Sequence, residues 1–216
     1  MTEILKRQKT FNNYGTSLVC ESVISSFFDQ FIEKAHIDLT MPMLDIGCGF
    51  GRAAAYLAKK GACQIYALDL CEKNLKKLVD DYPALVNNQT IIPLVGDFSV
   101  DSNCFVELLV ADRLSLALLI NVIHFWDQET LGLNLLKVFN YLAEDGFLLM
   151  LVQVNHNKED PETPKRFNIY PSALKASLIK AGFKEVFVDN NYRDDKYVAL
   201  ACKKSTNLQN IMSGLT

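Results

Sequence analysis

No stretch of this 216-residue chain is apolar for long enough to cross a bilayer. The longest such run, about Ser115 to Trp126, falls well short of the roughly 18 residues a membrane helix needs. The N-terminal MTEILKRQKTFNN lacks the apolar centre of a secretory signal. Paired cysteines are missing too: Cys20, Cys48, Cys63, Cys71, Cys104 and Cys202 form no C-x-x-C and no zinc-like Cys/His spacing. That pattern argues against a disulfide framework and a structural metal. It predicts reduced thiols acting as small buried hydrophobes in a cytoplasmic protein. Positive charge is not in excess, with 22 Lys+Arg against 25 Asp+Glu and a net charge of −3, so neither nucleic acid nor membrane is an expected partner. Repeats, low-complexity tracts and linkers are also absent. What remains is a chain that is 50% hydrophobic and 22% charged, inside the globular range. Its length suits one domain, expected over residues 1–204, with a helical cap over 1–40 and a loose tail from 205 to 216.

Periodicity divides the chain into alternating strands and helices. Val19, Val23, Ile24, Phe27, Phe28 and Phe31 recur at helical spacing over residues 16–35. Met43–Ile46 reads as a short strand broken by Gly47, Gly49 and Gly51, and a helix follows from Arg52 to Lys60 with Gly61 at its end. A strand over 64–70, a helix over 72–81 stopped by Pro83, and a strand over 91–95 continue the rhythm. A helix around 103–112 then leads to an apolar strand over 116–122. Residues 128–143 read as a helix with Leu131, Leu135, Phe139 and Leu142 on one face. Asp145-Gly146 turns the chain into a strand over 147–154, and a helix opened by Pro171 stops at Gly182. The last two strands, about 184–189 and 196–202, are joined too closely for a parallel crossover and must form an antiparallel hairpin. Five nearly all-apolar strands interleaved with helices indicate a parallel sheet covered on both faces, an α/β fold.

The segment LDIGCGFGRAAAYLA, residues 44–58, sets a helix N-terminus above the sheet behind a turn with three glycines. Such a turn bends sharply and offers free amides to a phosphate or carboxylate. A tight turn with glycines for packing alone is the simpler alternative. Asp69 ends the second strand, where a carboxylate can accept hydrogen bonds from both hydroxyls of a ribose, and Leu70 would then lie against one adenine face. An acid favoured at a helix N-terminus would look the same. Two nucleotide-type cofactors compete for this arrangement. A dinucleotide fingerprint needs a third glycine where Arg52 stands, and the spacing here is D-x-G-x-G-x-G, Asp45 through Gly51.

That spacing resembles motif I of class I S-adenosylmethionine-dependent methyltransferases, and the resemblance covers about residues 41–203. It implies a Rossmann-like, doubly wound seven-stranded sheet, mostly parallel with an antiparallel C-terminal hairpin strand. It also implies S-adenosylmethionine as cofactor, cradled by Asp45, Gly47, Cys48, Gly49 and Gly51. The Gly96-Asp97-Phe98 sequence after the third strand is similar to the family's adenine clamp, with Asp97 receiving the exocyclic amine and Phe98 alongside. Asn121-Val122-Ile123-His124-Phe125-Trp126 resembles a segment of small-molecule members. Asn121's backbone would approach the methionine end of the cofactor, while His124 or Trp126 would face the acceptor.

Methyl transfer needs a nucleophile held in line about 3–3.5 Å from the methyl carbon, and a base only where the acceptor must lose a proton. His124 suits that base role, and suits a packed interior position equally. Phe11-Asn12-Asn13-Tyr14 looks like the F-x-x-Y segment that closes over the cofactor, with Tyr14 against its methionine moiety. The polar stretch His156–Tyr170 is expected to cover the substrate. No N-P-P-Y, D-P-P-Y or Pro-Cys sequence follows the fourth strand, which argues against a nucleobase acceptor; the resemblance implies a small-molecule acceptor, with a protein acceptor, an NAD(P)-dependent oxidoreductase and a non-catalytic methyltransferase-fold binding protein as the alternatives. The family's Pro-Gly-Gly turn before the fifth strand is Glu144-Asp145-Gly146 here, and the acid that usually opens the fourth strand is absent.

Overall fold

In the computed structural model, which describes residues 28–29, 31–100, 114–153, 167–193 and 196–203, strands and helices alternate in the expected order. They are β1 (Met43–Ile46), α1 (Arg52–Lys59), β2 (Ile65–Asp69), α2 (Glu72–Asp81), α3 (Pro83–Asn87), β3 (Ile91–Val95) and β4 (Leu114–Ile120). A single 3-10 turn (Ile123–Phe125) follows, then α4 (Gln128–Tyr141), β5 (Leu142–Gln153), α5 (Pro171–Ala181), β6 (Glu185–Arg193) and β7 (Lys196–Cys202). One seven-stranded sheet results, in the order β3-β2-β1-β4-β5-β7-β6. Its first five strands are mutually parallel, and β7 runs antiparallel between β5 and β6. The order reverses between β1 and β4, which makes the carboxyl ends of that pair the topological switch point, where open α/β sheets take ligands.

Side-chain alternation sorts the core. Leu44, Ile46, Leu68 and Leu119 face α4 and α5, while Met43, Ile65, Ala67 and Leu118 face α1 and α2. In α1, Ala53, Ala54 and Ala55 are buried, which lets that helix lie close to the sheet beside the glycine turn. The helical segment 31–35 covers the same side, with Phe31 packed edge-on against Phe147 at 5.9 Å. Asp29 ties this segment to α1 through an ion pair to Lys60 at 2.6 Å and a hydrogen bond from the Tyr56 hydroxyl.

Several boundaries differ from the sequence reading, each for a local reason. Pro83 does not simply stop a helix; it opens α3 at a first-turn position where its missing N–H is not needed. Helix α4 ends at Tyr141, and Leu142 belongs to β5, paired with Leu114. The register then jumps to Leu116 opposite Phe147, so the Asp145-Gly146 turn bulges out of a strand that begins before it. Strand β4 stops at Ile120 because Asn121 adopts a left-handed φ of 56°. Strand β6 continues to Arg193, through residues expected to link the hairpin.

Tyr14 and the 11–14 segment, most of the 16–35 helix, the 103–112 helix, residues 156–166 of the expected covering loop, and the 205–216 tail lie outside the described residues. Among the described residues, no disulfide joins Cys48, Cys63, Cys71 or Cys202, no group of metal-ligating side chains is present, and no helix is long and apolar enough to cross a membrane.

Candidate functional site

The glycine turn leaves β1 with Gly47, Gly49 and Gly51 all left-handed, at φ 68°, 56° and 71°. Glycine adopts such angles at the least steric cost. Packing adds a second reason at two of them. A Cβ at Gly47 would sit 2.5 Å from Cγ2 of Val122, and one at Gly51 would collide with the Leu78 side chain. The missing side chains at Gly47 and Gly51 are therefore required first by the protein's own walls. The turn is pinned by Cys48 N–H to the Leu68 carbonyl at 2.9 Å, and by Gly51 N–H to the Cys48 carbonyl at 2.9 Å.

Asp69 closes the turn from the next strand. Its Oδ2 accepts the Gly49 N–H at 2.8 Å, while Oδ1 accepts the Cys71 N–H at 2.8 Å and the Asn74 amide at 3.2 Å. A carboxylate has about four lone-pair positions, so these three bonds leave one, on the oxygen that faces the turn. Asp69 is 8% exposed, and burial holds its pKa above the usual carboxylate range against the pull of those donors. One position on Oδ2 is thus left for a donor from outside the turn. Asn74, at the start of α2, is a supporting residue that the sequence reading missed; its only signal is a place one turn into the helix behind Asp69. Leu70 is half-buried beside Asp69, at the end of β2.

Asp45 lies on the same side of the sheet as Asp69, because alternation along β1 and β2 sends both toward α1. It is 2% exposed and accepts the Ala54 N–H of α1, and its Oδ2 has no hydrogen-bond partner among the described residues. Burial, and then the charge of Asp69, raise its pKa to about 7. The Cys48 thiol, enclosed beneath the turn and near both acids, is pushed well above its ordinary value and is a poor nucleophile.

On the other side of β2, Asp97 Oδ1 accepts the Ser99 N–H at 2.9 Å and the Ser99 hydroxyl at 2.5 Å, which fixes the turn after β3. The Phe98 ring does not stand open beside a ligand: it is buried and stacks on Trp126, with centroids 6.2 Å apart and planes at 23°. Lys137 crosses from α4 to hold the Phe98 carbonyl at 3.1 Å, a contact with no signal in the sequence. Trp126, 4% exposed, is thereby packed into the core. His124 is 4% exposed and lies against Phe125, and its carbonyl accepts the Phe167 N–H at 2.7 Å. That bond joins the end of β4 to the segment entering α5. Asn121 follows β4 directly, its N–H bonded to the Leu151 carbonyl at 2.8 Å, and Val122 covers Gly47.

Four adjacent strand ends thus present Asp97 (β3), Asp69 (β2), Gly47 (β1) and Asn121 (β4), in that spatial order. At about 4.8 Å between strands, they line one edge of roughly 14 Å. A family model described as a methyltransferase domain matches residues 44–150, the stretch that holds all four. Residues 44–150 form a methyltransferase domain. S-adenosylmethionine is its cofactor.

A S-adenosylmethionine-dependent methyltransferase from Clostridium acetobutylicum superposes on this methyltransferase fold with a TM-score of 0.67 at 14% identity, over 93% of this chain and 99% of the other. Human N-acetylserotonin methyltransferase, solved with S-adenosylmethionine, gives 0.61 at 17% identity over 84% of this chain and 52% of that one. The cyclase SpnF gives 0.63 at 15% identity over 82% and 80%. At such identities the likeness is one of fold, and SpnF shows that this fold also serves other chemistry. No curated protein matches the chain by sequence. The cofactor suits the residues present: the spare lone pair on Asp69 and the buried amide of Asn121 lie at separate points of the same edge.

Proposed function

We propose that this methyltransferase domain transfers the methyl group of S-adenosylmethionine to a small-molecule acceptor. The order of groups along the sheet edge carries the reading. Asp97, Asp69 and the Gly47 turn follow the order adenine, ribose and sulfur in the donor. When bound, the cofactor supplies an electrophilic methyl group on a positively charged sulfur. The chain's own residues then bind and orient. Asp97 accepts from the adenine amine, Asp69 Oδ2 accepts from a ribose hydroxyl, and Leu70 lies against the base. Asp69 places negative charge beneath the turn, and Asp45 adds to it only as the pH rises past about 7, which favours a cationic ligand over a neutral one. The amides of Cys48 and Gly51 are spent within the turn, so the cofactor meets a rigid backbone. Rigidity of this kind supplies positioning, which accounts for a large share of the acceleration in an in-line displacement.

On the acceptor side, the half-buried Val122 and Phe125, just beyond β4, offer an apolar, aromatic surface, which suits a small organic acceptor. His124, held beside that surface by Phe167, serves as base where the acceptor must lose a proton. In the test, the purified protein is incubated with methyl-labelled S-adenosylmethionine and separated cell fractions. Label is expected in the small-molecule ultrafiltrate. Label recovered in protein or RNA instead would overturn the acceptor class, and failure to bind S-adenosylhomocysteine in calorimetry would overturn the cofactor reading.

A further inference from the structure

The sheet has two edges, β3 and β6, and the chain treats them differently. At β3 the Gly96 N–H reaches the Asp69 carbonyl and the Thr90 carbonyl takes the Ile65 N–H, so even-numbered residues face β2. Pro93 is therefore among those that face outward, where a proline withholds the N–H another strand would bind. Strand β6 has no such guard. It runs nine residues, Glu185–Arg193, without proline, glycine or lysine, and no strand lies beyond it among the described residues.

The ladder fixes which groups of β6 point outward. The Asn121 N–H to the Leu151 carbonyl turns the odd residues of β5 toward β4, and the Lys203 N–H to the Gly146 carbonyl turns the odd residues of β7 toward β5. Cys202, Leu200 and Val198 then face β6 and pair with Glu185, Phe187 and Asp189. Val186 and Val188 are left pointing their main-chain N–H and C=O away from the sheet. Their side chains pack toward α5 and that of Phe187 toward the opposite layer, all three half-buried. A run that is apolar on both faces suits the inside of a sheet. Helix α5 adds to the same edge. Its Ser177 faces α4, where the hydroxyl accepts from Gln128 Nε2 at 3.1 Å. Ile179, two residues and about 200° further round the helix, lies on the side away from α4, where α5 packs on β6. It is 56% exposed.

We propose that a second copy of this chain pairs edge to edge with β6, antiparallel about a two-fold axis, and joins the two sheets into one. A second copy suits this edge because it brings the same apolar strand and the same exposed isoleucine. Outward groups match only when both strands offer even-numbered residues, so the axis falls on a residue and not between two. Centred at Phe187, the pairing sets Glu185 against Asp189 at both ends, with like charges directly opposite. One residue on, at Val188, it sets valine on valine and Phe187 against Asp189, and no like charges oppose. The two copies of Ile179 then flank the seam on one face. The proposal depends on neither the cofactor nor the acceptor.

The test measures mass by light scattering from about 1 to 100 µM, with amide hydrogen exchange alongside, on the full chain and two variants. Val188→Pro deletes an outward N–H and no bond to β7. Ile179→Glu puts charge on an exposed helix position and leaves the strand untouched, so it decides the matter should the proline disturb β6. The unmodified protein is expected to be a dimer with slow exchange at Val186 and Val188. Each variant is expected to weaken that dimer at least about tenfold. Ile179→Glu should also speed exchange at Val186 and Val188 and leave the β5 and β7 amides unchanged. A monomer at every concentration overturns the proposal. So does a dimer that both substitutions leave intact, which would put the contact on another surface. A monomer whose Val186 and Val188 amides are already protected overturns it too, because another segment of the same chain would then cover this edge.

Discussion

Replacing Asp45 with asparagine is expected to stabilise the protein above pH 7 and to flatten its stability across the pH range below. The carboxyl is buried under α1 near the charge of Asp69, with one oxygen bonded to the Ala54 N–H and the other without a partner among the described residues. Its pKa rises from 3.8 to about 7. The unfolded chain therefore gives up this proton near pH 4 and the folded chain only near pH 7. Between those values the folded state binds the extra proton, so unfolding free energy falls as pH rises through the window and levels off above it. At 1.36 kcal/mol per unit, the full penalty at pH 8 is on the order of 4 kcal/mol, of which roughly 2–3 accrue between pH 5 and pH 7. In a domain of this size that is a drop in Tm of about 5–10 °C.

Asparagine keeps an oxygen for Ala54 and removes the charge, but places an amide nitrogen where Oδ2 lacks a partner, which costs about 1–3 kcal/mol. The net gain at pH 8 is accordingly about 1–3 kcal/mol. Thermal melts from pH 5 to pH 8 at constant ionic strength check this. A fall in Tm over that range that is as steep in Asp45→Asn as in the unmodified protein would refute the reasoning. Asp69→Asn should flatten the same slope in part, because it removes the neighbouring charge that raises Asp45.

Gly47→Ala combines a left-handed backbone penalty of about 1–2 kcal/mol with a collision against Val122, so urea denaturation should show a loss of roughly 2–4 kcal/mol. In the double variant with Val122→Ala, the two effects should fail to add by more than about 0.5 kcal/mol, and strict additivity would exclude the contact. Asp69→Ala should weaken S-adenosylhomocysteine binding by about 10- to 100-fold, the range for a charged hydrogen bond, and unchanged affinity in calorimetry would remove Asp69 from the site. Lys137→Met deletes the bond to the Phe98 carbonyl and the ammonium 5.7 Å from the Phe98 ring, and its melts should show about 1–2 kcal/mol of lost stability.

The parts of this site that were legible in the sequence are those fixed by local spacing. The D-x-G-x-G-x-G turn and the acid closing the second strand are set within one βαβ unit, where chain connectivity alone decides which strand ends meet. What escaped the sequence depends on contacts across the sheet. Phe98 stacks on Trp126 because β3 and the segment after β4 reach α4 from different strands, a meeting that neither local pattern encodes. Asn121 ends β4 one residue beyond the run of apolar side chains, and nothing in that run marks where the strand gives way to a left-handed residue.

Asp45 falls between these cases, and it shows what a single sequence can still yield. Met43 and Asp45 alternate with Leu44 and Ile46, as Ile65, Ala67 and Asp69 alternate with Tyr66 and Leu68. Parallel neighbours in the observed register, with Asp45 opposite Ala67, must then send both carboxylates to one face. A register shifted by one residue would move one acid to the α4 side and end their repulsion. Burial is the larger cause of the raised pKa of Asp45, and the part that Asp69 adds is a consequence of strand register, so the flattening of the pH slope in Asp69→Asn measures that register in solution.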